Sequence, residues 1–312
     1  MIKIGLIGAN ETSRQHLQLL KEIPGFEVIG FFDHNGSTAD EFAASHRIQR
    51  FDQFELLLNE VDAIDILSPV GSHYKYASEA ITHSKHVLLS GLISEDIREA
   101  RSINELAIEA NVNLKILHAE KLHPEFRVFK RLVKKPSYVE CRRFKNNILN
   151  VSNDALVFGM LLNDIDMLIT VIGSNVRKVV ANGASLYNTF TDFLNVRLEF
   201  ENGCVANVNC GNFENMEPDT ITVYQKNELL LLNLSNYQIR KMTRSEDGKY
   251  VDTEVNTKRK SGQNVISLEL QQFAQSIENK LKMSNEVYQS YQSLRIAHQV
   301  IEKLHPTTLF NA

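Results

Sequence analysis

The chain is short of the features that staple, anchor or export a protein. It has three cysteines in 312 residues, Cys141, Cys204 and Cys210. An odd count with no C-x-x-C pair excludes a full disulfide framework and the common zinc and dithiol spacings. Cys204 and Cys210 lie six apart in a strand-like stretch, so they share one face and read as buried structural thiols of a reducing compartment. No apolar run approaches the ~18 residues of a membrane-spanning helix. The first residues, Met-Ile-Lys-Ile-Gly, run straight into a strand, without a charged region and small-residue cleavage site. A cytoplasmic location is the expectation. Charge of one sign is lacking too. A net charge of -4 gives no reason to expect nucleic acid or an anionic membrane as partner. Lys130-Arg131 with Lys134-Lys135, and Lys258-Arg259-Lys260, read as solvated faces and loops. The sequence has no internal repeat and no low-complexity segment.

What is present is an ordinary globular composition, 43% hydrophobic and 23% charged, with enough apolar material for a sizeable core. At ~100–200 residues per domain the length predicts two domains. The first is expected over 1–120. Ile2–Ile7 and Phe26–Phe32 read as strands around a helix that carries Leu17, Leu19, Leu20 and Ile23 and stops at Pro24-Gly25. Strands follow at Asp62–Leu67, Lys85–Leu89 and Asn113–Leu117. Helices are expected at Thr38–His46, His73–His83 and Ser94–Ala110, the last capped by Ser94. This alternation predicts an α/β doubly wound parallel sheet of the Rossmann type.

The pattern changes near residue 120. Helices are expected at Glu125–Val133 and Phe158–Ile172. Phe193–Phe200 alternates apolar and polar residues, and Glu201-Asn202-Gly203 is a hairpin signal. Strands at Tyr138–Phe144, Cys204–Cys210, Thr220–Tyr224 and Glu228–Leu234, with closing helices near 267–281 and 288–304, predict an α+β second domain over 121–312 on a mainly antiparallel sheet. The all-apolar run Leu229–Leu232 predicts that one face of this sheet is covered by a second copy, giving a homodimer or homotetramer.

The first strand ends in Gly8-Ala9-Asn10-Glu11-Thr12-Ser13. Only the first glycine of a G-x-G-x-x-G dinucleotide fingerprint is present, with Asn10 and Ser13 at the other two positions. Gly8 makes the tight turn, Asn10 tolerates unusual backbone angles, and Ser13 is small enough for close helix–strand packing. Asp33 ends the second strand, where a dinucleotide site places an acid for the ribose hydroxyls and against a 2′-phosphate, so NAD is favoured over NADP. An ordinary turn aspartate before His34-Asn35-Gly36 is the other reading. His118 and His123 have no third ligand at a suitable spacing, and no metal site is expected.

At this point nearly the whole chain resembles the glucose–fructose oxidoreductase, inositol dehydrogenase and rhizopine-catabolism (Gfo/Idh/MocA) family. His16 follows Gly8 by eight residues. Ser68-Pro69-Val70-Gly71-Ser72-His73 is similar to the family's T-P-x-x-x-H loop beside the nicotinamide. Lys85-His86-Val87-Leu88-Leu89 matches its K-H-V-L strand, and His123-Pro124 a frequent H-P after the crossover. Asp166 with Gly173 matches its D-x-x-x-W-L-x-G helix without the tryptophan, a residue this chain lacks altogether. The resemblance implies an NAD(P)-dependent oxidoreductase for a small polyol, sugar or related metabolite. It implies cofactor contacts from Gly8, Asn10, Glu11, Thr12, Asp33, His34, Ser68, Pro69, His73 and Ser90.

Two departures concern proton handling. The family strand continues E-K-P, with a lysine that touches substrate; here Ser90-Gly91-Leu92 puts Gly91 at the lysine. The family's D-x-x-x-H helix falls on Gly159 and Asn163. Neither Gly91 nor Asn163 exchanges protons near neutral pH. Lys121 and Asp166 are the remaining candidates, beside Asn163, Glu120 and Asp164, although a solvated lysine and an internally bonded aspartate would account for the first two. The alternative to an enzyme is a non-catalytic nucleotide-binding sensor or structural protein on the same scaffold.

Overall fold

The first strand, β1 (Ile2–Ile7), buries every residue but Lys3 and is flanked by parallel strands on both sides, as expected of a central strand in a sheet covered on both faces. In chain order it is followed by α1 (Glu11–Glu22), β2 (Phe26–Phe32), α2 (Gly36–His46), α3 (Phe54–Glu60), β3 (Ala63–Ile66), α4 (His73–Thr82), β4 (His86–Ser90), α5 (Ile97–Glu109) and β5 (Leu114–Leu117). Next come α6 (Ala119–Leu122), α7 (Pro124–Leu132), β6 (Pro136–Phe144), a π-helical turn (Val157–Leu161) and α8 (Leu162–Ile172). Seven strands follow, β7 (Val176–Ser185), β8 (Phe193–Phe200), β9 (Val205–Gly211), β10 (Thr220–Gln225), β11 (Glu228–Asn233), β12 (Ile239–Arg244) and β13 (Tyr250–Glu254). The chain ends in α9 (Val265–Glu278), α10 (Ser284–Lys303) and β14 (Pro306–Thr308). This computed structural model describes all residues except 118, 146–151, 153, 187–188, 214–216, 246, 257–263, 281–283, 305 and 309–312. His118 and the run Lys258-Arg259-Lys260 lie outside the described residues.

The chain divides into two units. The first comprises residues 1–119 and 261–291. Its sheet has the order β2-β1-β3-β4-β5, all parallel. A single parallel bridge, Phe31 with Arg50, adds the remnant of a further strand outside β2. Counting that remnant as the third strand gives the order 3-2-1-4-5-6 of a Rossmann fold, with its switch point between β1 and β3. The expected helix at Ser94 starts later: Asp96 caps α5 by accepting the Arg98 N–H at 2.8 Å. Ser94 instead accepts the Asp96 N–H at 3.0 Å, one step before the cap.

The expected second domain, 121–312, is not continuous, because α9 belongs to the first unit. Leu270 and Phe273 of α9 are buried, Asn113 donates to Ser276 at 3.1 Å, and the fully buried Lys115 of β5 pairs with Glu269 at 2.5 Å. These contacts are long-range, and local patterning does not report them.

The second unit comprises residues 120–260 and 292–312. Its nine-stranded sheet has the order β13-β12-β11-β10-β6-β9-β8-β7-β14. Pairing is antiparallel except for β6 with β9 and β14 with β7. The Glu201-Asn202-Gly203 turn joins β8 to β9, and Phe200 accepts the Gly203 N–H at 3.0 Å. Cys141, Cys204 and Cys210 are free and buried, and desolvation pushes all three thiols up, Cys204 to about 11. The inner face is apolar, with Leu194, Val196 and Leu198 of β8 beside Val208 of β9. The opposite face departs from the apolar patch expected there. Leu229 and Leu231 are half-buried, but Asn195, Arg197, Glu199, Asn207 and Asn209 share their side of the sheet. The predicted Phe158–Ile172 helix begins as the π-helical turn and becomes α-helical at Leu162.

Candidate functional site

In the first unit the candidate site gathers at the carboxyl ends of β1, β2, β3 and β4. Gly8 follows β1 with φ +107°, a conformation L-residues rarely adopt. A Cβ there would lie 3.1 Å from the Ser68 backbone nitrogen, so the turns after β1 and β3 touch backbone to backbone. Asn10 has ordinary extended angles, φ -139° and ψ -177°, and so does not use the left-handed freedom expected of it. It caps α1 instead. Its Oδ1 accepts the Ser13 N–H at 3.0 Å, and its Nδ2 donates to the Leu67 carbonyl at 2.8 Å. Ser13 is fully buried, as close packing requires. Glu11 and Thr12 are exposed in the first turn of α1, where backbone N–H groups have no acceptor within the helix. That terminus suits a pyrophosphate. Glu11 pairs with Arg14, whose hydrogen bonds hold its carboxyl down at about 2.

Asp33 braces this turn. One carboxylate oxygen accepts the Ala9 N–H at 2.7 Å and the other accepts the Asn35 N–H at 2.7 Å. A carboxylate offers about four lone-pair directions, so two backbone bonds leave room for ribose hydroxyls. The exposed His34 ring lies 3.5 Å from the same carboxylate. After β3, the Ser72 hydroxyl sits 2.8 Å from both the Ser68 hydroxyl and the Pro69 carbonyl. His73 turns inward. Its ring is buried, with Nδ1 2.7 Å from the Leu92 carbonyl and Nε2 2.5 Å from the Ser68 carbonyl. It joins the loops after β3 and β4, which leaves neither ring nitrogen free for a ligand. Ser90 ends β4 half-buried. Gly91 follows with φ +91°, and a Cβ there would meet nothing within 4 Å.

Beneath this rim, His16 of α1 and Asp65 of β3 form a buried pair, Nδ1 to Oδ2 2.8 Å. Burial pulls the imidazole pKa down, but attraction to Asp65 outweighs it and the net shift is upward. The sequence offered His16 only through its spacing from Gly8. Nothing local marked Asp65 as its partner.

In the second unit, the Lys121 ammonium lies 2.5 Å from Asp166 Oδ2, and Ser293 donates to Asp166 Oδ1 at 3.1 Å. Lys121 is therefore neither solvated nor a free base; the pair ties α6 to α8. Asn163 is half-buried on α8. The next residue, Asp164, is fully buried, and burial raises its carboxyl to about 6 although Arg143 of β6 pulls it down. Arg143 Nε is 2.6 Å from Asp164 Oδ1, an ion contact whose alignment falls short of a hydrogen bond. Glu120 completes the cluster 3.5 Å from the same guanidinium. His123 precedes α7 and stacks on Tyr237, ring centroids 3.5 Å apart. Arg143 and Tyr237 were not evident from sequence, since their partners are distant along the chain. Among the described residues, no group of three or more His, Cys, Asp or Glu side chains is arranged to hold a metal ion. No helix among them is long and apolar enough to cross a membrane.

Comparison with known proteins bears on both units. Residues 2–118 match the family described as "Oxidoreductase family, NAD-binding Rossmann fold". A UDP-N-acetylglucosamine 3-dehydrogenase from Acidithiobacillus ferrooxidans is 28% identical over 211 residues, covering 66% of each chain. A glucose-6-phosphate 3-dehydrogenase from Bacillus subtilis is 29% identical over 112 residues, 36% of this chain and 32% of that one. The sequence matches thus span just under two thirds of these relatives, or less. A solved structure of the Acidithiobacillus enzyme superposes with a TM-score of 0.87 at 22% identity, covering 97% of each chain. A 3-ketoreductase from Actinomadura kijaniata, solved with NADP and TDP-benzene, gives a TM-score of 0.81 at 16% identity over 99% of each chain.

Proposed function

We propose that this chain, whose residues 2–118 match the NAD-binding Rossmann family model, is a Gfo/Idh/MocA-type enzyme, a cytoplasmic NAD-dependent oxidoreductase acting on a CH–OH group of a small sugar, polyol or sugar derivative. One observation carries the reading. The Gly8 turn and the Asn10-capped start of α1 sit at the switch point, braced by Asp33 through the Ala9 N–H at 2.7 Å. In this reading the α1 N-terminus faces the pyrophosphate, Asp33 the adenosine ribose, and Ser68, Pro69 and Ser90 border the nicotinamide. The dinucleotide supplies hydride acceptance and donation when bound. The relatives named as sugar 3-dehydrogenases support a sugar or sugar-derivative substrate. Asp33 supports NAD over NADP, with no Arg or Lys in the next few residues to receive a 2′-phosphate.

With Gly91 and Asn163 at the family's proton-handling positions, turnover of common polyols is slow. A general acid or base is worth roughly 10²–10⁴ in rate. A non-catalytic nucleotide-binding protein is the second reading, favoured by that same double loss. Fluorescence titration with NADH, then a panel of polyols, sugars, nucleotide sugars and their keto forms, separates the two. Cofactor binding with measurable conversion of one sugar class supports the enzyme. Binding without conversion of any member supports the sensor, and absence of NADH binding sinks both.

A further inference from the structure

The strand remnant outside β2 brings a cation to the loop assigned above to the adenosine ribose. Its bridge sets Arg50 beside Phe31, two residues before Asp33. The Phe31 N–H donates to the Gln49 carbonyl and the Phe51 N–H to the Phe31 carbonyl, each at 2.9 Å. From there the Arg50 side chain reaches the β2–α2 turn. Its Nη1 donates to the Gly36 carbonyl at 3.3 Å. A Cβ on Gly36 would stand 3.6 Å from Nη2, so the glycine leaves that edge of the guanidinium uncovered. Asn35, the residue before Gly36, donates its N–H to Asp33 at 2.7 Å. Asp33 and Arg50 therefore hold the same short turn, one as an acid and one as a cation.

The guanidinium is compensated but not used up. Asp40 pairs with Nη1, and Asp52 lies 3.3 Å from Nη2. Both aspartates are exposed, and exposed ion pairs are weak. The buried Nε has no hydrogen-bond acceptor among the described residues. Arginine presents five N–H donors in a planar fork that matches phosphate. Asp33, Asp40 and Asp52 outnumber Arg50, and the exposed His34 ring lies 3.5 Å from Asp33. The sum of these charges is negative whether or not His34 carries a proton, which opposes a phosphate.

We propose that Arg50 is a specificity-determining residue of the dinucleotide site. Its guanidinium is the receptor that a 2′-phosphate requires, and Asp40 and Asp52 occupy it, which holds the chain to NAD. Asp33 opposes the phosphate at the ribose itself, so the Asp40–Arg50–Asp52 set is a second and separable determinant of the same choice. The proposal rests on the dinucleotide reading of the Gly8 turn.

The test is fluorescence titration of the full-length protein with NADH and with NADPH. In the double variant Asp40→Asn with Asp52→Asn, NADPH affinity rises about tenfold or more over wild type, since a hydrogen bond to a charged group is worth about one to two decades. The NADH affinity changes less than about threefold. Adding Arg50→Met to the double variant removes the NADPH gain. Arg50→Gln in the same background gives the same loss and keeps an amide donor, so it serves where Met perturbs folding, which circular dichroism reads. An unchanged NADPH affinity in the double variant overturns the proposal. So does a gain that survives both changes at Arg50, or a gain that NADH shares in full. In each of those cases NADH binding by wild type leaves the dinucleotide reading standing. Absence of NADH binding by wild type removes that reading and the proposal with it.

Discussion

At the scale of single residues, the candidate site is defined as much by what is missing as by what is present. Gly8 has both reasons to be glycine, a positive φ and a backbone neighbour 3.1 Å from where a Cβ would stand. Gly8→Ala is expected to cost at least about 1 kcal/mol of stability and to abolish measurable NADH binding, read by urea denaturation and fluorescence titration. Gly91 has only the first reason, φ +91° with open space around it. Gly91→Lys thus has room for the side chain but strains the backbone. Asn163→His alone gains little, because proton-handling groups that act as a unit are not additive. Wild-type turnover of inositol or glucose is expected to be slow or undetectable beside clear cofactor binding, and brisk turnover of either would show that another group handles the proton. Asp164 gives a pH signature. Its folded carboxyl is raised from 3.8 to about 6, so the folded state holds a proton that the unfolded state has lost between those values. Stability from this group is therefore present on the acid side and is lost as pH rises through about 6. Asp164→Asn removes the titrating carboxyl and leaves Arg143 with Glu120 alone, a penalty that does not change with pH in this range. Relative to wild type the variant gains about 2 kcal/mol between pH 4.5 and 8 in denaturant melts. A pH-independent difference would refute the assignment.

At the scale of elements, the sequence was legible wherever the signal was periodic and local. The parallel strands of the first unit, the β8–β9 hairpin at Glu201-Asn202-Gly203 and the apolar face of β8 all follow from alternation and turn chemistry. The rest was set by partners far along the chain. The Asn10 cap is partly tied to the Leu67 carbonyl, and His73 is held by carbonyls on two loops. The π-helical turn at Val157–Leu161 carries the same apolar residues as an α-helix would, so periodicity does not separate the two. The return of α9 to the first unit rests on buried Leu270 and Phe273, the Asn113–Ser276 bond and the Lys115–Glu269 pair, contacts that no window of sequence connects. That pair makes the element-scale prediction. Lys115→Met removes one partner of a buried ion pair and should destabilise the protein by roughly 3–5 kcal/mol. Lys115→Met with Glu269→Leu should recover most of that loss. If both variants melt like wild type, the pair does not hold α9.

At the scale of the whole molecule, fold class and the likeness to an NAD-binding oxidoreductase family over residues 2–118 were readable because several modest matches occur in the right order. The proton route, the substrate and the assembly state were not, since each depends on groups that come together only in three dimensions. A homodimer or homotetramer through the outer face of the nine-stranded sheet is still expected. That face is mixed, with Leu229 and Leu231 among asparagines, and polar contacts must carry part of such an interface. Light scattering at micromolar concentration should give a multiple of 35.5 kDa, and a monomer mass would refute the assembly. The central claim is that the turn braced by Asp33 is a dinucleotide site that prefers NAD. Calorimetric titration of wild type and Asp33→Ala with NADH and NADPH tests it most directly. The account predicts tighter binding of NADH by wild type and loss of that preference in the variant. Tighter NADPH binding by wild type, or a preference unchanged in Asp33→Ala, would contradict it.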